Sequence, residues 1–329
     1  MFMIITIIGG SGFVGTRLTK RLLGSGHSVK IADKQDSKKH PELRQFADVR
    51  EIESLKKALK DTDLVINLAA EHRDDVTPKS LYDDVNVKGA ENVCTVCEQL
   101  GIKKIIFTSS VAVYGFAPIG TDETGKINYF NDYGRTKWLA EEKYREWLHK
   151  SSEHSLTIIR PTAIFGEQNR GNVYNLLKQI ESGRFLMVGN GTNKKSMAYV
   201  ENVAAFIEYC LQNGPGEHLF NYVDKPDFDM NTLVSEVYKM LGKQKKIIHW
   251  PYWMGYTGGL FFDVIAKITG KKLPISSIRV KKFCANTMFE ANNIKNTSFS
   301  APVSLKDGLK NTIQYEFIDK YQGEEFYTE

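Results

Sequence analysis

The chain has 329 residues, 42% of them apolar and 25% charged, with a formal net charge of +5 and four cysteines. This is enough chain for a large core. The mild, interspersed charge leaves no nucleic-acid footprint but accommodates an anionic substrate or an anionic membrane surface. No apolar run reaches the roughly 18–20 residues of a bilayer span, and the cysteines are too few for a disulfide framework, which fits a reducing cytoplasm.

Met1–Ile8 is apolar but runs straight into Gly9 and Gly10, with no basic start and no small-residue cleavage site. It therefore reads as a first strand, Ile4–Ile8, rather than a signal peptide. Further strand-like runs are Val29–Ala32, Leu64–Leu68, Lys104–Thr108 and Thr157–Arg160. Amphipathic helical patterns separate them at Val14–Gly24, Glu51–Leu59, Leu81–Leu100 and Tyr133–Lys150, and Tyr199–Leu211 adds another. This alternation predicts an α/β fold: a Rossmann-type, doubly wound parallel sheet covered on both faces. Cys94 and Cys97 fall inside a helical pattern and read as packed side chains rather than a redox pair.

After Gly166 the rhythm changes. Asn172–Ser182 and Asn231–Leu241 read as helices, with irregular Gly-, Asn- and Lys-rich segments between them. Further strands of the main sheet are expected near Phe185–Val188 and His218–Tyr222. The division that follows is a dinucleotide-binding domain over 1–166, also receiving about 185–225, and a smaller, discontinuous α/β substrate domain over 167–184 and 226–329.

Strand Ile4–Ile8 leads into Gly9, Gly10, Ser11, Gly12, Phe13, Val14 and Gly15, and a helix follows. Gly9, Gly12 and Gly15 form G-x-x-G-x-x-G. In this strand–turn–helix setting the glycines permit a tight turn, close backbone approach to a pyrophosphate, and close helix–strand packing. Asp33 ends the second strand, where a carboxylate accepts both hydroxyls of an adenosine ribose. It favours NAD over NADP, although Lys30 and Lys34 leave NADP open. Asp48 and Val49 are expected at the adenine. Leu68, Ala69 and Ala70 close the next strand with small side chains, against which phosphates and the nicotinamide ribose can lie. No metal site is expected.

Tyr133 and Lys137 stand at i and i+4, on one helix face. A cation beside a phenol lowers its pKa from about 10 toward neutrality and makes Tyr133 a general base. Ser110, at the end of strand Lys104–Thr108, can share a hydrogen bond to the same substrate hydroxyl.

These residues resemble the NAD-dependent epimerase/dehydratase family, the extended short-chain dehydrogenases. The resemblance covers most of the chain and includes Asn86–Gly89, Arg160–Thr162 with Phe165 and Gly166, and Tyr199–Ala204. It implies a catalytic Ser110, Tyr133 and Lys137, NAD as cofactor, and a homodimer joined through helices such as Leu81–Leu100 and Tyr133–Lys150. Dehydratases of the family carry Asp-Glu directly after the catalytic Ser/Thr. Val111 and Ala112 stand here, so the resemblance favours 4-epimerisation.

Three segments, Glu71–Val76, Asn169–Gln179 and Asn221–Pro226, are similar to a subgroup acting on N-acetylhexosamines joined by a diphosphate to undecaprenol, in O-antigen synthesis. Nucleotide-sugar epimerases usually carry Asn where Ala163 stands. The alternatives are a UDP-N-acetylglucosamine 4-epimerase and a net NAD(P)-dependent dehydrogenase of the sterol type. In the epimerase reading Tyr133 takes the 4-hydroxyl proton, and hydride leaves C4 for the nicotinamide and returns to the other face. Arg73, Arg170, Asn172 and Arg279 are candidates to anchor a diphosphate, lipid-linked or nucleotide-linked, although any of the arginines also suits a surface salt bridge.

Ile247–Lys272 combines Trp250, Tyr252, Trp253, Met254, Tyr256, Leu260, Phe261 and Phe262 with Pro251, Gly255, Gly258 and Gly259, and ends in lysines. It admits two readings. One is a buried helix and loop roofing the substrate cleft. The other is a docking surface at the cytoplasmic face of a membrane, where rings sit at headgroup depth and lysines meet anionic lipid.

Overall fold

The computed structural model describes residues 2–73, 76–270 and 276–327. The first half runs β1 (Ile4–Ile8), α1 (Phe13–Gly24), β2 (Ser28–Asp33), β3 (Arg44–Phe46), α2 (Ile52–Ala58), β4 (Leu64–Asn67), α3 (Ser80–Tyr82), α4 (Gly89–Leu100) and β5 (Lys104–Thr108). It continues with α5 (Asp132–Leu148) and β6 (Ser155–Pro161). Then come β7 (Ala163–Phe165), α6 (Asn172–Glu181), β8 (Met187–Val188), β9 (Lys194–Tyr199), α7 (Val200–Tyr209), β10 (Gly216–Tyr222), β11 (Asp224–Asp229) and α8 (Met230–Met240). The last elements are β12 (His249–Trp250), α9 (Tyr252–Thr269), α10 (Ser277–Cys284), α11 (Asn292–Lys295) and α12 (Leu305–Ile313).

Seven strands form one sheet in the order β10-β6-β5-β4-β1-β2-β3, every pair parallel. The strands are apolar throughout because both faces are covered, and neighbouring residues feed opposite cores. Leu64, Ile66, Ile106 and Ile159 pack with Leu18 and Leu22 of α1 and Val203, Phe206 and Ile207 of α7. Val65, Ile105 and Ile158 pack with Val93 and Cys97 of α4 and Tyr144 and Trp147 of α5. Cys94 and Cys97 are buried on α4, and burial pushes both thiols up, so neither has reactive thiolate character.

A second core gathers α6, α8 and α12 around the three-stranded sheet β11-β9-β7. The expected strand near His218–Tyr222 joins the main sheet as β10. The one expected near Phe185–Val188 does not. Met187 and Val188 pair with His249 and Trp250 in a separate two-stranded sheet. Gly183 and Gly189 turn the chain with φ of 71° and 87° on either side, and Phe185 and Met187 fill the second core instead.

Ile247–Lys272 also departs from one of its two readings. It is not a buried roof: α9 is a continuous helix in which only Gly259 is buried. The glycines are its contact points. A Cβ on Gly259 would lie 2.7 Å from the Ser277 backbone, and one on Gly255 would lie 2.5 Å from Val188. Such a narrow seam leaves the bulky side chains outward. Lys271 and Lys272 lie outside the described residues, as do Asp74 and Asp75 of the Glu71–Val76 segment.

Candidate active site

Strand order reverses at β1, which has β2 on one side and β4 on the other. In an open parallel sheet the crevice at the carboxyl ends of such strands is the ligand site, and the glycine loop lies there. Gly9 has φ of 77°, and a Cβ on it would lie 2.8 Å from the Ala69 nitrogen, so only glycine lets the two loops meet. A Cβ on Gly15 would lie 2.5 Å from the Gly10 Cα, which sets α1 tight against the strand end. Gly12 differs: a Cβ there meets only the Gly9 carbonyl oxygen, at 3.3 Å. No side chain caps α1, and no acid stands in its first turn. Free N–H donors and the positive helix end therefore face open space, a cradle for a pyrophosphate. Gly12→Val, at a φ of −80° that valine tolerates, should fold normally and lose NAD binding. Thermal melts and NAD titration check this; retained affinity would reject the cradle.

Ser11 and Asp33 brace the loop. Asp33 Oδ2 accepts from the Ser11 nitrogen at 3.0 Å and Oδ1 from the Gln35 nitrogen at 2.9 Å, while Ser11 Oγ donates to the Gln35 carbonyl at 3.1 Å. Each carboxylate oxygen keeps a lone pair for a ribose diol. Phe13 turns its ring into the second core, so it can offer a ligand only its backbone, and Val14 packs against two cores. Ala47 donates to the Asp33 carbonyl at 3.2 Å, which brings Asp48 and Val49 to the Asp33 end of the crevice. Arg50 hydrogen-bonds the Asp48 carboxylate and holds its pKa below the ordinary value. On the other side Asn67 Oδ1 accepts from the Ala69 nitrogen at 3.0 Å, and Leu68 donates to the Ile8 carbonyl at 2.9 Å. This fixes Leu68, Ala69 and Ala70 against β1.

Asn131 caps α5 through the Gly134 nitrogen at 2.9 Å. A Cβ on Gly134 would lie 2.4 Å from the Ala112 carbonyl oxygen. That close approach presses the first turn of α5, with Tyr133, against the turn that Ser110 opens. Ser110 Oγ accepts from the Ala112 nitrogen at 3.1 Å and keeps its own proton to give. Lys137 is fully buried. Its Nζ donates to the Thr108 carbonyl at 2.7 Å and sits 4.6 Å from the centre of the Phe107 ring. Burial pulls its pKa down to about 7, opposed by the charge of Glu141.

The four phosphate-anchor candidates stand on the loop after β4 (Arg73), before and at the start of α6 (Arg170, Asn172) and on α10 (Arg279). Arg170 is paired with Glu316 and Glu325, both at 2.9 Å, and lies over the Tyr174 ring. With both carboxylates in place it ties α6 to the C-terminal segment and is no free phosphate ligand. Arg73 pairs with Glu71 at 3.0 Å, while Asn172 and Arg279 lie exposed in the first turns of α6 and α10. A cation the sequence reading misses is Lys195 of β9. Its only described partners are the carbonyls of Lys282 and Ala285, at 2.9 and 2.7 Å, and burial lowers it to about 8. It lies beside Cys284, which with Val188, Asn193, Trp250 and Tyr252 lines a cavity of about 570 Å³.

The seven-stranded parallel sheet with a glycine loop at its switch point is a Rossmann-type fold, and Asp33, Ser110, Tyr133 and Lys137 are grouped around the same crevice as candidate site residues. The chain belongs to the NAD dependent epimerase/dehydratase family, whose model matches residues 5–222. It is 55% identical, over 95% of both chains, to the N-acetyl-alpha-D-glucosaminyl-diphospho-ditrans,octacis-undecaprenol 4-epimerase of Escherichia coli O157:H7. Its fold is similar to that of the UDP-glucose 4-epimerase of Thermotoga maritima, with TM-score 0.76 at 20% identity over 97% of this chain and 100% of that one. The Thermus thermophilus UDP-glucose 4-epimerase, solved in complex with NAD, gives 0.73 at 19% identity over 95% and 98%.

Proposed function

We propose that this chain is an NAD-dependent 4-epimerase of an N-acetylhexosamine, interconverting GlcNAc and GalNAc on diphospho-undecaprenol at the cytoplasmic face of a membrane. The name of the 55%-identical relative supports the sugar and its carrier. The observation that favours a lipid carrier over a nucleotide is α9. Trp253, Phe261, Val264 and Ile268 are 66, 64, 57 and 78% exposed and follow one another at helical spacing along one stripe. Lys267 stands in the last turn of α9, and Lys281 and Lys282 of α10 lie over the rings of Phe116 and Phe130, both of them exposed aromatics. No described helix is long and apolar enough to cross a membrane. A helix of this kind, about 27 Å long at 1.5 Å per residue, suits lying in the bilayer interface. Ala163, exposed at the start of β7, offers no polar side chain to a nucleotide-linked sugar.

Bound NAD supplies a reversible hydride acceptor at C4. The chain's own groups do the rest. Tyr133 takes the 4-hydroxyl proton and gives it back, Ser110 steadies that hydroxyl, and Lys137 keeps the phenolate ionised. Lys195, lacking a described anionic partner, would meet a diphosphate. A homodimer through α4 and α5 belongs to the same proposal, and a monomer in sedimentation runs would remove that part.

Purified protein without added NAD should convert GlcNAc-diphospho-undecaprenol and leave UDP-GlcNAc untouched. It should also float with anionic vesicles, and a Trp253→Ser/Phe261→Ser variant should not. Conversion of UDP-GlcNAc alone, or stoichiometric consumption of NAD, would replace this reading with one of the two alternatives. Unchanged flotation of a folded variant would remove the membrane contact.

A further inference from the structure

We infer that the buried pair Glu141–Arg160 is the bracket that sets Ser110 against Tyr133 and Lys137: two positioning residues that touch neither substrate nor cofactor. The inference rests on the epimerase reading for its kinetic consequences and on geometry for the rest. The three reactive side chains come from two elements. Tyr133 and Lys137 stand on α5, and Ser110 on the turn after β5. Something must fix one element against the other to the fraction of an ångström that proton transfer requires.

Glu141 stands one turn beyond Lys137 on α5 and has no exposed surface. Its Oε1 accepts from Ser109 Oγ at 2.5 Å and from Arg160 Nε at 2.8 Å, and its Oε2 from an Arg160 terminal nitrogen at 2.5 Å. Arg160, 2% exposed on β6, gives its remaining terminal nitrogen to the Tyr114 hydroxyl at 2.7 Å. Tyr114 in turn donates to Asn221 Oδ1 on β10 at 2.9 Å. The segment from Ser109 to Tyr114, with Ser110 inside it, is therefore pinned at both ends by one ion pair rooted on the helix of Tyr133 and Lys137. Arg145 adds a second cation to the carboxylate at 3.2 Å.

The same carboxylate acts on Lys137 through space. From β5 Lys137 meets a carbonyl and a phenyl ring. From the loop after β4 it meets His72, whose imidazole burial keeps neutral. On its own helix Tyr133 stands one turn before it and Glu141 one turn after. Glu141 is the acid whose charge opposes the burial of Lys137 and favours its ammonium form. Removing that charge takes away the electrostatic influence that opposes burial at Lys137, which favours its neutral form.

Three variants test this. Ser109→Ala and Tyr114→Phe each free one end of the pinned segment without burying a charge. They should lower kcat roughly 10-fold to 10²-fold while KM and NAD affinity stay within about twofold of wild type. Glu141→Gln should weaken proton binding at Lys137 about tenfold. Carbon NMR of lysine-labelled protein, with the resonance assigned by its loss in Lys137→Met, reads this without turnover. The alkaline limb of the pH–kcat profile should move to lower pH with it. Full kcat in both Ser109→Ala and Tyr114→Phe, or an unmoved Lys137 titration in folded Glu141→Gln, overturns the inference. Parallel loss of NAD affinity and stability in all three also overturns it, as that is plain structural support. A wild-type enzyme that epimerises nothing would sink the functional reading, and the NMR titration would still judge the bracket.

Discussion

Tyr133→Phe is expected to lower turnover by about 10³-fold while the protein remains folded and NAD-loaded. The change removes one oxygen. The phenyl ring keeps its place in the first turn of α5, and neither the Asn131 side-chain cap on the Gly134 nitrogen nor the seat of Gly134 on Ala112 involves the Tyr133 hydroxyl. What disappears is the group that takes and returns the 4-hydroxyl proton, a contribution of typically 10²–10⁴-fold. Ser110 cannot replace it, because a hydroxyl lacking a neighbouring base stays protonated. The loss should fall on kcat, with substrate affinity little changed, since proton transfer matters most in the transition state. Turnover of the lipid-linked sugar and the NAD content of the purified variant are the two measurements. A variant keeping more than about a tenth of wild-type kcat would remove Tyr133 from the base role, since loss of a general base costs at least about 10²-fold.

How much of this was open to reading follows from how local each signal is. Strands β1, β2, β4, β5 and β6 and the helices α1, α2, α4 and α5 are legible because each strand feeds two covered faces and each helix carries one apolar stripe, patterns that complete themselves within about ten residues, whereas the three-residue edge strand β3 is too short to show one. The glycine loop and the Tyr133/Lys137 spacing are equally local. Pairings between distant segments are not. Phe185–Val188 looks like a strand of the main sheet, yet its partner is His249–Trp250 and its side chains serve the second core. Arg170 looks like a phosphate ligand until Glu316 and Glu325 arrive from the far end of the chain. The exposed stripe of α9 hides because its glycines read as breakers, whereas they are where Ser277 and Val188 press against the helix. One long-range signal was available. Arg160 stands inside an apolar strand, and Glu141 lies on the buried side of α5, at the i+4 position from Lys137. A buried charge demands a partner, and these two supply each other.

That pair carries the largest expected effect on stability. Arg160→Met should destabilise the fold by about 3–5 kcal/mol, the cost of leaving one member of a buried pair without the other. Glu141 would keep Ser109 and Arg145 but lose its two strongest donors, and the Tyr114 hydroxyl would lose the guanidinium donor in an equally dry place. Methionine has the length and flexibility to fill the space, so the loss is electrostatic rather than a cavity. The double variant Glu141→Leu/Arg160→Met should recover much of the stability, because the desolvation cost of both charges vanishes together. It should not recover activity, since Ser109 and Tyr114 remain unpinned. Urea midpoints for the two variants, set beside their kcat values, separate the roles. A single variant that loses less than about 1 kcal/mol would mean the pair contributes no more than an exposed one does. A double variant that regains both stability and turnover would show that packing alone holds Ser110 in place.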